Sequence, residues 1–463
     1  MTGIQHTKQI IIGGLIALAL GLALVPPAGF DPAQARIFGI VFVTLLLWST
    51  GAVPPYLATL LLFALTLIFS LATPELVFAG FGSAAVWLIV SGFVIGAAIS
   101  RSGLGDRLAS VMAPLLTGSY PRLIGGLMGV AMALGFLMPS SVGRAVVLLP
   151  IGMALADRCG FGKGANGRIG IAVVLTLGCN MPSFAILPSN IPNMILSGTA
   201  ETLHHASFGY TEYLLLHYPV LGLLKSLLTV LLVLRLFPDT VRRDAAAPQP
   251  ATAAPASAAM QRRVGLVLLV TLALWMTDSL HGINPAWIGL ATAVVLLLPR
   301  IGVVEPPAFK ASVDFGMLLF VAGALALGAL VNASGLGTMI GQTLERMLPL
   351  QPGREALNFM ALSVMSTVTG LIATVPGVPA VLTPMAPDLA AQSGFGLRAV
   401  LMTQVIGFST VLFPYQVGPL VVAMQLSGER LGHLLRITLP LAALTLLVLV
   451  PVDFLWWKLL GWL

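Results

Sequence analysis

Residues 135–150 read GFLMPSSVGRAVVLLP, and residues 370–384 read GLIATVPGVPAVLTP. Each is an apolar run interrupted by small, polar or ring-locked residues: Pro139, Ser140, Ser141 and Gly143 in the first, Thr374, Pro376, Gly377 and Pro379 in the second. Proline removes a backbone donor and clashes with the preceding turn, so each run reads as a helix that stops, turns and restarts inside apolar surroundings. The flanking stretches 121–157 and 355–392 are therefore expected to be hairpins that enter a membrane and return.

The rest of the chain supplies that membrane. It is 58% hydrophobic and 8% charged, where a soluble domain carries roughly 25% charged residues. Apolar runs such as Ile10–Val25, Leu57–Leu71, Leu214–Leu236 and Leu439–Trp457 recur throughout. A spanning helix needs about 20 such residues, and lipid forces every backbone polar group to pair within the segment. Spans are expected at 9–27, 35–50, 53–72, 83–100, 168–198, 211–236, 263–281, 284–300, 313–332, 397–427 and 437–459. The first run follows Lys8 but lacks a small-residue cleavage site before Pro26-Pro27, so it reads as the first helix and not as a signal peptide. The fold class is all-α integral membrane, with about 11 transmembrane helices plus two re-entrant hairpins.

The formal charge of +7 sets orientation and does not indicate nucleic acid. Lys8, Arg101, Arg158, Arg168, Arg235, Arg262, Arg300 and Arg436 are among the many basic residues at one set of span ends. The other set carries Arg36, Arg346, Arg354, Arg398 and Lys458. The positive-inside rule then places the N-terminus in the cytoplasm and the C-terminus outside, in the cytoplasmic (inner) membrane. Cys159 and Cys179 form no disulfide framework or metal spacing.

The segment Pro238–Ala259 (PDTVRRDAAAPQPATAAPASAA) reads as a flexible connector. It divides the chain into a first helix (1–33), a first repeat (34–237), a linker (238–262) and a second repeat (263–463). Leu47-Trp48-Ser49-Thr50 matches Leu274-Trp275-Met276-Thr277. Ser102-Gly103-Leu104-Gly105 matches Ser334-Gly335-Leu336-Gly337. The two quoted runs match each other, and Leu187-Pro188-Ser189-Asn190 matches Phe413-Pro414-Tyr415-Gln416, all in the same order. Each repeat has an odd number of spans, so the second enters from the opposite side. Inverted repeats with interrupted helices are the architecture of secondary transporters, with the solute near the midplane.

Four polar interruptions mark the candidate site: the tips Pro139–Arg144 and Thr374–Val378, and the breaks Pro188–Asn193 and Pro414–Pro419. Freed N–H groups at half-helix starts attract anions, and Ser140, Ser141, Asn190, Asn193, Thr374 and Gln416 add uncharged hydrogen bonds. The rival reading is a set of proline kinks in packed helices; the symmetry of the four sites argues against it. Arg144 sits in the first tip, and an arginine at depth must be paired or face water. Its fork suits a carboxylate or sulfate, so it is expected to hold the anionic solute, with a structurally paired arginine as the alternative. Lys225, mid-helix, reads as structurally paired. The acidic residues, Asp453 included, fall at or near segment ends or in loops, which argues against a proton pump or cation exchanger. His204 and His205 read as loop residues, and no metal site or nucleophile–base pair is expected.

At these residues the chain resembles the divalent anion:sodium symporter family, carriers of dicarboxylates, citrate or sulfate. The resemblance covers nearly everything after residue 30, including Gly80-Phe81-Gly82-Ser83, the hairpins and the broken helices. It implies a homodimer working as an elevator, with no cofactor and with sodium as coupling ion. Ser140, Ser141, Ser189, Thr374 and Ser409 are the candidate ion ligands. In that family each tip carries Ser-Asn-Thr, but here the positions read Ser140-Ser141-Val142 and Thr374-Val375-Pro376. The family's Pro-Pro-Asn break reads Ile191-Pro192-Asn193 in the first half and Val417-Gly418-Pro419 in the second. The expectation is a carrier of small organic dianions in which Arg144 replaces a sodium ion. The competing readings are an inorganic oxyanion or monocarboxylate carrier, a cation or proton antiporter, and a membrane enzyme.

Overall fold

The computed structural model describes residues 31–50, 52–104, 118–241, 258–336 and 350–463, with Gly14, Gly21, Arg107 and Met339 besides. Most of the predicted first span 9–27 and of the linker 238–262 lies outside the described residues. Those described form helices and turns with no strand. Among the described residues eight helices are long and apolar enough to cross a membrane, and five shorter apolar helices accompany them.

In the first half α1 is Pro32–Thr50, α2 Pro55–Ile68 and α3 Ala84–Ser102. The hairpin follows as α4 (Tyr120–Leu137) and α5 (Ser141–Arg158). The predicted span 168–198 is two helices, α6 (Asn166–Gly178) and α7 (Ile191–His204), separated by 3₁₀ turns at Pro182–Ala185 and Leu187–Ser189. The break thus opens at Cys179, earlier than the Pro188–Asn193 cue, because Pro182 also cannot continue α6. The half closes with α8 (Tyr210–Leu236).

The second half repeats this order: α9 (Ala258–Met276), α10 (Pro285–Leu297), α11 (Phe315–Ala333), α12 (Glu355–Leu382), α13 (Leu397–Phe408), α14 (Gly418–Ser427) and α15 (Gly432–Leu459). Within α12 the chain reverses at Thr374, whose φ is 60°. A Cβ placed on Gly370 would lie 3.4 Å from Val378 Cγ2. A straight helix would separate residues eight apart by about 12 Å, so this is a hairpin turn.

The corresponding parts share local geometry. Trp48 Nε1 donates to the Pro55 carbonyl at 3.1 Å, and Trp275 Nε1 to the Pro285 carbonyl at 2.9 Å. α3 and α11 end alike, with Leu104 N and Leu336 N donating to the Ser102 and Ser334 hydroxyls at 3.4 and 3.5 Å. Gly103 and Gly335 there have φ of 62° and 74°, which suits glycine. α8 and α15 each contain a π-helical segment, Tyr218–Leu224 and Thr445–Leu449.

The halves interlock. α2 packs on α11 and α3 on α10, while α5 packs on α14 and α7 on α12. Where α12 meets α13, Ser366 Oγ donates to the Gln404 carbonyl at 3.0 Å. A Cβ on Gly407 would collide with Ser366. Gly407→Val should therefore lower the melting temperature in detergent, with overpacking costing about 1–3 kcal/mol; an unchanged melt would show that the two helices separate freely.

Candidate functional site

Ser140 caps α5, its hydroxyl accepting from Gly143 N at 3.1 Å. Arg144 therefore lies in the first turn of α5, just past the hairpin turn, and is 0% exposed. Nε and Nη2 donate to the Cys179 carbonyl at 3.0 and 2.7 Å. Nη1 donates to the Met138 carbonyl and, at 3.0 Å, to Ser189 Oγ. Nη2 donates to Ser141 Oγ at 3.1 Å. A guanidinium has five N–H donors, and all of them are spent on protein oxygens. In this conformation the fork offers no N–H to a solute, in contrast to the expectation that it grips the anion directly.

The acceptor set explains the position. Cys179 is the C-cap of α6, where unsatisfied carbonyls concentrate negative partial charge. Two carbonyls and two hydroxyls thus surround one buried cation.

The rest of the first break is stitched by amides. Ser189 Oγ donates to the Gly135 carbonyl at 2.7 Å, joining the break to α4. Asn190 caps α7, with Oδ1 accepting from Ile191 N and Nδ2 donating to Ser183 Oγ at 3.1 Å. Asn193 Nδ2 donates to the Ser183 and Ile186 carbonyls at 3.0 and 2.9 Å. Asn180, 1% exposed, has no hydrogen-bond partner on either side-chain atom, and Asn193 Oδ1 has none.

The second break holds the other predicted residues. Gln416 Oε1 accepts from Leu412 N and Phe413 N at 2.9 and 2.8 Å. Tyr415 OH donates to the Leu371 carbonyl at 3.0 Å, tying break to hairpin. Thr374 is half-buried at the turn. Ser409, C-cap of α13, receives Lys225 Nζ on its carbonyl at 2.6 Å and on Oγ at 3.4 Å. A buried cation therefore stands at the carbonyl end of the leading half-helix in both breaks.

The structure thus forms two groups. Ser140, Ser141, Arg144, Ser189, Asn190 and Asn193 make one network; Thr374, Ser409 and Gln416 belong to the other. Among the described residues no hydrogen bond joins the two. They approach through the α5–α14 and α7–α12 contacts and through Phe184 and Phe408, whose rings are 5.7 Å apart. Sequence reasoning missed Asn180 and Ser183, whose signal was an amide and a hydroxyl beside Pro182. It also set aside Asp453. That carboxylate lies near the end of α15 as expected, yet it is fully buried. His204, expected in a loop, closes α7, with Nε2 2.8 Å from the Thr383 carbonyl.

Comparison with known proteins agrees with this architecture. The sodium:sulfate symporter transmembrane region family matches residues 6–463. A Cupriavidus necator protein named only as a membrane protein is 24% identical, over 98% of this chain and 93% of its own. The chloroplastic dicarboxylate transporter 2.2 of Arabidopsis thaliana is 26% identical over 83% of this chain and 72% of its own. The sodium-dependent dicarboxylate transporter SdcS of Staphylococcus saprophyticus is 22% identical over 75% and 73%. The crystal structure of the Alcanivorax borkumensis YdaH transporter superposes with a TM-score of 0.56 at 17% identity, covering 98% of both chains; the likeness is one of fold. A match across nearly the whole chain, on a scaffold of apolar helices, makes this a member of the sodium:sulfate symporter transmembrane family: a multi-pass membrane transporter of a small anionic solute, and not an enzyme.

Proposed function

We propose that the chain carries small organic dianions of the C4-dicarboxylate type across the cytoplasmic membrane without requiring sodium, as an exchanger or uniporter. The observation that carries this reading is the Arg144 guanidinium among two carbonyls and two hydroxyls at the end of α6. In secondary transporters, carbonyls at unwound half-helix ends are where a coupling cation binds. Here a covalently held cation takes those oxygens. Its charge acts on a solute in the neighbouring break through the low-dielectric interior, while Asn180 keeps two unpartnered N–H donors to bind it. Two relatives named as dicarboxylate transporters favour a dicarboxylate solute; the altered tips Ser140-Ser141 and Thr374 favour sodium independence.

Matched caps, tryptophan bonds and π segments in the two halves support a repeat, and the excess of basic residues at one set of span ends supports a cytoplasmic N-terminus and an outside C-terminus. The crossed packing of α5 on α14 and α7 on α12 supports a single moving body. That body would slide as an elevator against α1–α3 and α9–α11, with a homodimer holding the static part. The test is counterflow of labelled succinate, tartrate, citrate and sulfate into preloaded proteoliposomes, with and without sodium. Succinate or tartrate should exchange in sodium-free buffer. Uptake only with sodium would defeat the sodium-independent reading, and exchange of sulfate alone would move the solute class to an inorganic oxyanion.

A further inference from the structure

We propose that the groove between α9 and α10 binds an anionic phospholipid, with an acyl chain along its floor and the headgroup on Arg262, Arg263 and Arg300. α9 is the least buried of the eight long apolar helices described. Leu266, Val270 and Leu274 of α9 and Trp287, Ala291 and Val295 of α10 line a groove of about 450 Å³. Two hydroxyls lie in its wall, those of Thr271 and Thr292. Their Oγ1 atoms are 2.8 Å apart, and each also bonds the carbonyl four residues before it. The middle of the groove therefore leaves no hydroxyl waiting for a partner and suits hydrocarbon. Trp287 stands exposed toward the far end, as amphipathic indoles do at a membrane–water boundary.

The near end is basic. Arg262 and Arg263 precede Leu266 and Val267 by four residues, so they lie over the helix face that lines the groove. Arg263 Nη1 donates to the Ile301 carbonyl at 3.5 Å, which brings it beside Arg300, just past the end of α10. All three arginines are exposed, and no carboxylate among the described residues pairs with them. Glu305, the next acidic residue after Arg300, is paired with Arg101 at 3.5 Å.

Length and charge select the occupant. From Arg263 to Leu274 α9 rises about 16 Å, close to the roughly 15 Å of hydrocarbon in one leaflet. An acyl chain laid along the groove leaves its phosphate level with the arginines, whose N–H forks match phosphate oxygens. The orientation proposed above puts this end at the cytoplasmic surface, where anionic lipids give the membrane its negative potential. A zwitterionic phospholipid would bring a second cation to the same arginines. A second copy of the chain is the rival occupant. Two-fold pairing across this face, with both copies oriented alike in the bilayer, would set the same three arginines against each other, and no acidic residue there relieves them.

The test places the full chain in phosphatidylcholine vesicles doped with a small, equal fraction of either brominated phosphatidylglycerol or brominated phosphatidylcholine, and reads tryptophan quenching. Three basic residues at a membrane surface should favour the anionic lipid by about 10–100-fold, so brominated phosphatidylglycerol should quench wild type more strongly. Trp287→Phe should lose that excess, with the other tryptophans still reporting bulk lipid. The triple variant Arg262→Gln, Arg263→Gln, Arg300→Gln keeps Trp287 and should be quenched equally by both lipids. Both variants change exposed positions and should melt as wild type does in detergent. Equal quenching of wild type by the two lipids overturns the proposal, since the groove would then be ordinary lipid-facing surface. Quenching of Trp287 by neither lipid also overturns it and leaves the groove to a second copy. An excess that survives either variant places the anionic lipid elsewhere and overturns it as well. None of these readouts requires solute transport, so failure here leaves the dicarboxylate reading untouched.

Discussion

Arg144→Ala should remove sodium-free transport and make what remains depend on sodium. The substitution strips the donors from the Cys179 and Met138 carbonyls and from two serine hydroxyls, all buried. Each buried acceptor left without a partner costs about 1–3 kcal/mol, so the hairpin turn loosens and the melting temperature falls. The lost cation no longer acts through the low-dielectric interior on an anion in the neighbouring break, so the hold on the anion should weaken. The vacated oxygens form a set that sodium can enter, so adding sodium should restore part of the flux. Arg144→Lys retains the charge with fewer donors. It should fold better than the alanine variant and keep sodium-free counterflow at a reduced rate. A wild type that needs sodium, with the same requirement surviving in both variants, would remove the resident-cation idea.

Lys225→Met, on the last helix of the first half, should be among the most destabilising single changes. Methionine fills much of the same volume, yet it takes the buried cation from the interior that also holds the fully buried Asp453. It also leaves the Ser409 carbonyl without its ammonium. Breaking a buried pair by removing one member costs about 3–5 kcal/mol, whereas replacing both members is often close to neutral. The double variant Lys225→Met with Asp453→Asn should therefore melt well above Lys225→Met alone. Unfolding of all four proteins in detergent gives the coupling directly. If the two single effects simply add, the residues do not form a pair.

Among the described residues most helices lie where length and apolarity place them, but the expected single spans 168–198 and 397–427 are each two helices. The likeness between the halves that the sequence suggests has a local counterpart: Trp48 and Trp275, and Ser102 and Ser334, make the same bonds. The candidate site was legible only in part. Prolines announce where a helix must stop, so Ser189, Asn190 and Gln416 could be picked out. The early opening of the first break was overlooked although Pro182, which cannot continue α6, marks it; that the freed Cys179 carbonyl is taken by Arg144, 35 residues away along the chain, could not be read. The direction of Arg144 was equally hidden. Its sequence neighbourhood says that a cation lies at depth, but only folding shows that five protein contacts use up its donors. Asp453 was misjudged for a similar reason: nearness to a helix end suggests water, and the packing of α15 against α8 and α12 denies it.

The crossed packing of the halves carries a consequence for biogenesis. α3, α5 and α7 are shaped to meet α10, α14 and α12, none of which exists until synthesis of the second half is well advanced. A nascent chain halted after α8 would expose those faces within the lipid, with its hairpin unsupported. Separately expressed halves should then be degraded when made alone and accumulate when made together.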